Sequence, residues 1–526
     1  MDDFQSQKVL AAALLDCRRY PHAAKTVRLI ETHISWVFLA GRYAYKIKKS
    51  LDLGFLNFTS LKARQFYCDE EIRLNRRMAP RIYLDVIPIG GSPEEPVLGA
   101  QPAIEYAVRM KRFPTTRLMD RLLMSSKVMP SHVDHLAAAV AHFHNGLPPA
   151  EASSGLGSLT AIHGAAQQNF EQLQRFLKQP ADIQAADELR HATEKAYATC
   201  EKGFMMRRMQ GCVRECHGDL HLGNIVLIGD EPIPFDGIEF NPDLRWIDVM
   251  SDIAFTVMDL LYRQRPDFAS RLLNAYLEIT GDYGGVAVLN FYIAYRAAVR
   301  AKVSAIRSAQ AGLSRREITE ALAVCRSYLV LAQDTLVRKR SVLIITHGLP
   351  GSGKSTFALA AVERLQAIRI RSDVERKRLF GLAPLASSRS QAGSGIYGPD
   401  ATRRTYTRLL ELARELLQAG FPVIVDAAFL KQEERELFRE LARDLGVPFV
   451  IASIEASPAS LRARILARHH EKKDASEADI VVLEMLQAAQ QPLTQAEQEC
   501  AVVISNESGN IEATAAAWER LAQLLG

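Results

Sequence analysis

The string His217-Gly218-Asp219-Leu220-His221-Leu222-Gly223-Asn224 sets a carboxylate five residues before a carboxamide, and Asp236 follows inside Pro234-Phe235-Asp236-Gly237. An acid able to take a proton from a hydroxyl, then an amide and a second acid able to hold a divalent cation, is the donor set that phosphoryl transfer requires. Asp219 is expected to orient and deprotonate an acceptor hydroxyl, with Asn224 and Asp236 holding Mg²⁺ against phosphates. Ile225–Ile228 and Pro232–Phe235 read as a small hairpin that presents both metal ligands toward one point.

A second chemistry-bearing string is Gly348-Leu349-Pro350-Gly351-Ser352-Gly353-Lys354-Ser355-Thr356, which fits G-x-x-x-x-G-K-[ST] between an apolar β-branched run and a helical pattern. Gly348, Gly351 and Gly353 let the backbone wrap tightly, so that its N–H groups, with those of Ser352 and Thr356 and the positive end of the next helix, surround phosphate oxygens. Lys354 is expected on the terminal phosphates and Ser355 on Mg²⁺. Asp373, at the end of the next strand, is placed to accept a hydroxyl proton. Arg376, one helical turn on, is placed to clamp phosphate. Asp426 ends the strand Pro422–Asp426, where it either supports Mg²⁺ through water or holds the loop. Arg464 and Arg468 fall four apart on one helix face, where two like charges repel unless an anion lies between them, as in a lid over triphosphate.

The elements that must carry these groups differ between the two halves. Strand signals at Val27–Ile30, Trp36–Leu39 and Tyr43–Ile47, with a turn at Ala40-Gly41-Arg42, precede a helix over Leu61–Met78 and strands at Tyr83–Ile89 and Tyr106–Met110. The pattern then turns helical, clearest at His132–His144 and Asn169–Lys178, around an exposed loop at Pro148–Ser158. Lys46 and Lys48 share one strand face. Lys46, in an A-x-K setting, is the expected phosphate lysine, paired with Glu71 on the next helix; Lys48 and Glu70 are the alternatives. From residue 341 strands and helices alternate, as in a doubly wound parallel sheet. We expect two domains, 1–335 and 341–526, joined through the basic run Val337-Arg338-Lys339-Arg340.

Composition narrows the class. The 526 residues are 48% hydrophobic and 24% charged, and Gly and Pro (30 and 22) are too few for a largely disordered chain. No stretch approaches 18 uncharged apolar residues, and the start lacks a secretory pattern, so a cytoplasmic protein without a membrane segment is expected. A net charge of +5 neither demands nor excludes nucleic acid. Seven scattered cysteines fit a reducing compartment better than a disulfide framework. Cys212 and Cys216 lack a second ligand pair and read as small buried thiols.

Several of these strings resemble known families. H-G-D-x-x-x-x-N with D-G-x-E, followed by Trp246-Ile247-Asp248-Val249 and Ser251-Asp252-Ile253-Ala254, resembles the aminoglycoside phosphotransferases and the choline- and fructosamine-type kinases over about 25–330. That resemblance implies the α+β bilobal protein-kinase-like fold, with a β-rich small lobe and a helical large lobe. It further implies a hinge at Tyr106–Arg112, including Met110, that grips adenine, and a brace at Asp252. The Gly-rich loop expected between the first two strands is absent: Glu31-Thr32-His33-Ile34-Ser35-Trp36 stands there, with Thr32 and Ser35 as phosphate-facing alternatives. The loop 348–356, D-x-x-R and the basic helix are similar to the small P-loop kinases, which include polynucleotide 5′-hydroxyl kinases, zeta-type toxins and gluconate-type kinases.

These resemblances imply two ATP·Mg²⁺ sites, each moving a γ-phosphoryl group to a small-molecule hydroxyl. Arg371, Arg376, Lys377 and Arg378 leave a nucleic-acid 5′ end as another acceptor for the second site. A regulatory protein in which one domain senses or hydrolyses ATP to control the other is the alternative. Oligomeric state is not encoded.

Overall fold

Residues 35–48 alternate between two buried faces, and that alternation decides where the two lysines point. The computed structural model describes residues 3–525 except 53, 55, 311, 338, 339, 389, 391, 392, 472–474 and 508–514, and except the side chains of 468–471. Arg338 and Lys339 of the expected linker therefore lie outside the described residues. The chain forms two units, one of 1–172 and 204–259, the other of 173–203 and 260–526.

The first unit opens with the helix Asp3–Ala13 and a mostly antiparallel sheet. Its strands are β1 (Val27–Glu31), β2 (Ser35–Ala40), β3 (Tyr43–Lys48), β4 (Tyr83–Gly91), β5 (Pro96–Leu98) and β6 (Glu105–Lys111), in the spatial order β1-β2-β3-β6-β4-β5. Tyr45 and Ile47 join Trp36, Phe38, Leu10 and Leu14 in the core under the first helix. Ala44 faces the other way, with Cys68, Ile72, Val108 and Met110. Strand period two therefore sends Lys46 and Lys48 to that second face, toward the helix Leu61–Asn75. Ser60 caps this helix, accepting a hydrogen bond from the Ala63 N–H at 3.1 Å. Buried Arg64 ties the helix to β6 by donating to Glu105 at 2.9 Å.

A helical region follows, including Pro130–Gly146. Within it β7 (Val213–Glu215) pairs with β10 (Trp246–Asp248), and β8 (Ile225–Ile228) with β9 (Glu231–Pro234). The curled antiparallel sheet followed by the helical region gives the β-rich part and helical part that the sequence predicts. Most of the expected elements are found to within a few residues, but the helix expected over Asn169–Lys178 runs from Leu159 to Phe176, well into the segment before it. The helix begun at Leu61 stops at Asn75 rather than Met78; residues 76–78 form a turn ahead of Pro80, which has no N–H to continue a helix.

In the second unit the sheet is parallel, in the order β12-β13-β11-β14-β15: β11 (Leu343–His347), β12 (Ile368–Arg371), β13 (Val423–Asp426), β14 (Phe449–Glu455) and β15 (Ala501–Ser505). Every residue of β11 and β13 is buried, as expected of strands covered on both faces. The helices Lys354–Leu365 and Ala515–Leu525 cover one face, and Phe357 stacks on Trp518 at 5.2 Å between centroids. β11 is central, so the loop it feeds opens at the carboxyl edge of the sheet, where ligands bind in such folds. The same unit holds the helices Pro266–Thr280, Val286–Ser308 and Arg315–Leu336. Among the described residues no helix is long and apolar enough to cross a membrane.

Phe357→Ala removes a side chain that is 2% exposed at the centre of this core. It should cost about 3–5 kcal/mol, read as a lowered urea midpoint of the second unit.

Candidate active sites

In the first unit the sheet face described above brings charge into a buried space. Lys46 Nζ donates to Glu71 Oε1 at 2.9 Å and to Asp236 Oδ1 at 2.6 Å. Lys48 Nζ donates to Glu71 Oε2 at 2.7 Å and also to Glu239. Burial favours the uncharged form of Lys46, but Asp236, Glu71 and Glu239 outweigh it and hold its pKa well above the ordinary lysine value. Burial also pushes both glutamates up. Two lysines serve Glu71 and bring it below the usual carboxylate range, whereas Glu239, served chiefly by Lys48 and crowded by Glu71, stays raised. Glu70 takes no part; it accepts from Arg73 at 2.8 Å. Lys46 is thus the lysine that reaches from Glu71 to Asp236, and Lys48 is a buried strut beneath it.

Asp236 sits at φ +63°, a left-handed conformation rarely adopted by a non-glycine residue. Neighbours hold it there: its N–H donates to the Tyr83 hydroxyl at 3.1 Å, and Gly237 is fixed by Asn75. Opposite, Asn224 Nδ2 donates to Asp219 Oδ2 at 2.9 Å, which leaves its carboxamide oxygen as the ligand atom for a cation. The Phe235 N–H donates to the Asn224 carbonyl at 2.9 Å, so the hairpin sets Asn224 beside the Asp236 segment. Asp252 braces the loop by accepting from the N–H groups of His217 at 3.0 Å and Gly218 at 2.9 Å. His217 is buried, its pKa lowered by desolvation, and its Nε2 lies 3.0 Å from the Phe235 carbonyl. His221 Nε2 lies 3.5 Å from Asp219 Oδ2. Met110 is buried among Ala44, Val108 and Val226, in β6. The Thr32 hydroxyl closes its own turn, accepting from the Ser35 N–H at 2.9 Å, and the Ser35 side chain is buried.

The second unit shapes its loop with three left-handed glycines, at φ +142° (Gly348), +83° (Gly351) and +102° (Gly353). A Cβ on Gly348 would stand 2.4 Å from the Ile454 carbonyl oxygen, and one on Gly351 2.9 Å from that of Leu461. Lys354 Nζ donates to the Leu349 carbonyl at 2.9 Å, curling over the loop. Arg464 grips the loop from outside, donating to the carbonyls of Gly351 (3.2 Å), Ser352 (3.4 Å) and Asn506 (2.6 Å). The Arg468 side chain lies outside the described residues. Buried Ser352 Oγ and Asp426 Oδ2 have no hydrogen-bond partner among the described residues. Loop amides, Ser355 and a buried acid at the strand end form a donor set that fits a nucleotide triphosphate with Mg²⁺.

Asp373 opens the helix Ser372–Leu379 directly from β12. Arg376, 7% exposed, donates to the Ile396 carbonyl at 2.9 Å and to Thr402 Oγ1 at 3.2 Å, and lies over the Tyr397 ring. Its Nε has no partner among the described residues. Burial, then the charges of Asp373 and Glu477, push the Tyr397 phenol up, and its hydroxyl donates to Glu477 at 3.3 Å. Lys377 donates to the Pro384 carbonyl at 3.1 Å and pairs with Glu477 at 3.4 Å.

Residues 343–493 match the family model described as an AAA domain. An uncharacterized protein of Mycobacterium tuberculosis is 29% identical over 450 residues, 85% of this chain and 87% of its own. Among solved structures, an amicoumacin kinase is similar at 13% identity and a TM-score of 0.40, covering 63% of this chain and 95% of that one. A gluconokinase from Sinorhizobium meliloti is similar at 19% identity and a TM-score of 0.27, covering 36% and 95%.

The sequence reading missed several members of these sites. Asn75 stands one helical turn after Glu71 and could have been found by that spacing. Tyr83 and Asn506 carry no local signal. His347, the last residue of β11 just before the loop, also carries no local signal; it is 5% exposed, with Nδ1 2.9 Å from Ser453 Oγ. Burial, Arg435 and Lys354 lower its pKa to about 4. The unfolded chain titrates near 6.5. Full stability is therefore present above about pH 6.5 and declines toward pH 4, because only the unfolded state takes up the proton in that window. His347→Gln should flatten this decline by roughly 1.4 kcal/mol per pH unit, read from urea midpoints of both proteins between pH 4.5 and 7.

Proposed function

We propose that the chain is an ATP- and Mg²⁺-dependent phosphotransferase with two sites, one in each of the domains 1–335 and 341–526. The observation that carries this reading is the junction of Lys46 with both Glu71 and Asp236, facing a loop in which Asn224 holds Asp219. Glu71 holds the Lys46 ammonium charged and in place, and Asp236 beside it is an accessible carboxylate, so a fixed cation and a metal-ligating acid stand together as a metal-bound phosphate requires. In the first site Lys46 binds phosphate oxygens, Glu71 fixes the lysine, and the strand bearing Met110 borders the base. Asn224 and Asp236 would hold Mg²⁺, which neutralises phosphate charge when bound. Asp219 orients the acceptor hydroxyl and takes its proton as the oxygen–phosphorus bond forms and the bond to the β-phosphate oxygen breaks.

In the second site the loop amides and Lys354 bind the phosphates, and Ser355, backed by Asp426, would hold the metal. Asp373 takes the acceptor proton. Arg376 and the loop around Tyr397 border the acceptor, and Arg464 keeps the loop's carbonyls turned outward so that its N–H groups remain available.

We propose small-molecule hydroxyls as the acceptors. Arg371, Arg376, Lys377 and Arg378 are tied to partners inside the unit, which leaves little free cationic surface there for a nucleic-acid backbone.

Asp219→Asn and Asp373→Asn, made separately in the full chain, test both sites. Each should lower its share of labelled-phosphate transfer to sugars, aminoglycosides, nucleosides or oligonucleotides at least 100-fold, with ATP affinity changed less than about threefold. Unchanged transfer in either variant would remove that aspartate from the role of base.

A further inference from the structure

The helix Pro266–Thr280 presents Arg271, Asn274 and Glu278 at i, i+3 and i+7, on one face, to the phosphate-loop helix and β12 of the same unit. β12 is the outer strand of its sheet. The Ile368 N–H donates inward to the Pro422 carbonyl, so the polar groups of 367 and 369 point outward. Asn274 fills that open edge as a peptide group of a further strand would. Its Oδ1 accepts from the Arg369 N–H at 2.6 Å, and its Nδ2 donates to the Ala367 carbonyl at 2.9 Å. Arg271 donates to Glu363 at 2.8 Å, near the end of the phosphate-loop helix.

One turn past Asn274, Glu278 accepts from Arg369 Nη2 at 2.9 Å and from Arg371 Nη1 at 2.8 Å. Burial pushes this carboxyl up, but Arg371 and Arg369 outweigh it and hold it below the usual range. Both arginines continue into the phosphate site. Arg369 Nη1 donates to the Ser355 carbonyl at 3.5 Å, and Arg371 Nε stands 3.8 Å from Asp426 Oδ2, the buried oxygen without a hydrogen-bond partner. Glu278 is therefore one guanidinium removed from both residues assigned to the metal.

We propose that Glu278 is a positioning residue of the P-loop site: it holds Arg371 off Asp426 and so keeps that carboxylate available to the metal. The proposal rests on the P-loop reading above. Arg371 is closer to Glu278 than to Asp426. With Glu278 uncharged, the low dielectric favours closure of the Arg371–Asp426 pair, and the cation must then compete with a guanidinium for the same oxygen.

The test is an Mg²⁺ titration of the binding of a non-hydrolysable ATP analogue to the full chain, in a Lys46→Met background that silences the first site. Glu278→Gln should raise the Mg²⁺ midpoint at least fivefold, with analogue affinity at saturating Mg²⁺ within twofold of the parent. Adding Arg371→Gln should bring the midpoint back to within twofold, a suppression that a merely structural role for Glu278 would not show. An unmoved midpoint in Glu278→Gln, or one that stays raised in the double variant, overturns the proposal. Should Glu278→Gln fail to fold, Arg371→Gln alone decides: a midpoint at or below the parent's supports the proposal and a raised one overturns it. Lys354→Ala separates the two levels. If it leaves analogue binding intact, the P-loop reading falls and takes this proposal with it; if it abolishes binding while Glu278→Gln changes nothing, only this proposal falls.

Discussion

A charge removed from water must find an opposite charge, and the first unit is organised around that requirement. Lys46, Lys48, Glu71 and Glu239 are all buried at the meeting of β3, the helix Leu61–Asn75 and the segment after Asp236. None could stay there alone at a tolerable cost in free energy. Each therefore fixes the place of the others, and the three elements are held in one arrangement. Asp236 is drawn to Lys46 while still 44% exposed, which leaves a wet carboxylate at the lip of a dry network. That boundary between paired interior charge and accessible charge is the place where the proposed metal and phosphates would bind.

The second unit meets the same kind of demand with backbone rather than side chains. Three glycines in left-handed conformations shape the loop, and two of them, Gly348 and Gly351, pass so close to the carbonyls of Ile454 and Leu461 that a Cβ would collide. Arg464 and Asn506 then hold the carbonyl side of the loop from outside. The chemistry of the loop is thus the chemistry of its peptide groups. The parallel sheet contributes by presenting that loop at the carboxyl end of its central strand.

Local pattern made much of this legible. The alternation in Tyr43–Lys48 put Lys46 and Lys48 on one face and the next helix offered Glu71 or Glu70 as their partner; the fold selected Glu71. The G-x-x-x-x-G-K-S string named its own glycines, because such conformations leave few residue choices. Asp219, Asn224 and Asp236 were readable because a short hairpin fixes their separation along the chain. Arg376 shows the limit of that method. Its spacing from Asp373 placed it correctly on the helix, yet spacing could not show that its guanidinium would be buried against Ile396 and Thr402.

By itself the sequence determined the order of most elements, the two chemistry-bearing strings and the residues bearing carboxylate, amide and ammonium groups, since these follow from periods and spacings of a few residues. Tertiary structure alone decided that Lys46 bridges Glu71 to Asp236, that Asn75 and Tyr83 pin the Asp236 turn, and that Glu278 stands behind Ser355 and Asp426. Those partners lie from 25 (Lys46 to Glu71) to 190 (Lys46 to Asp236) positions apart in the chain. Over such distances no backbone period relates one side chain to another; only the packing of sheets against helices brings them within hydrogen-bonding reach.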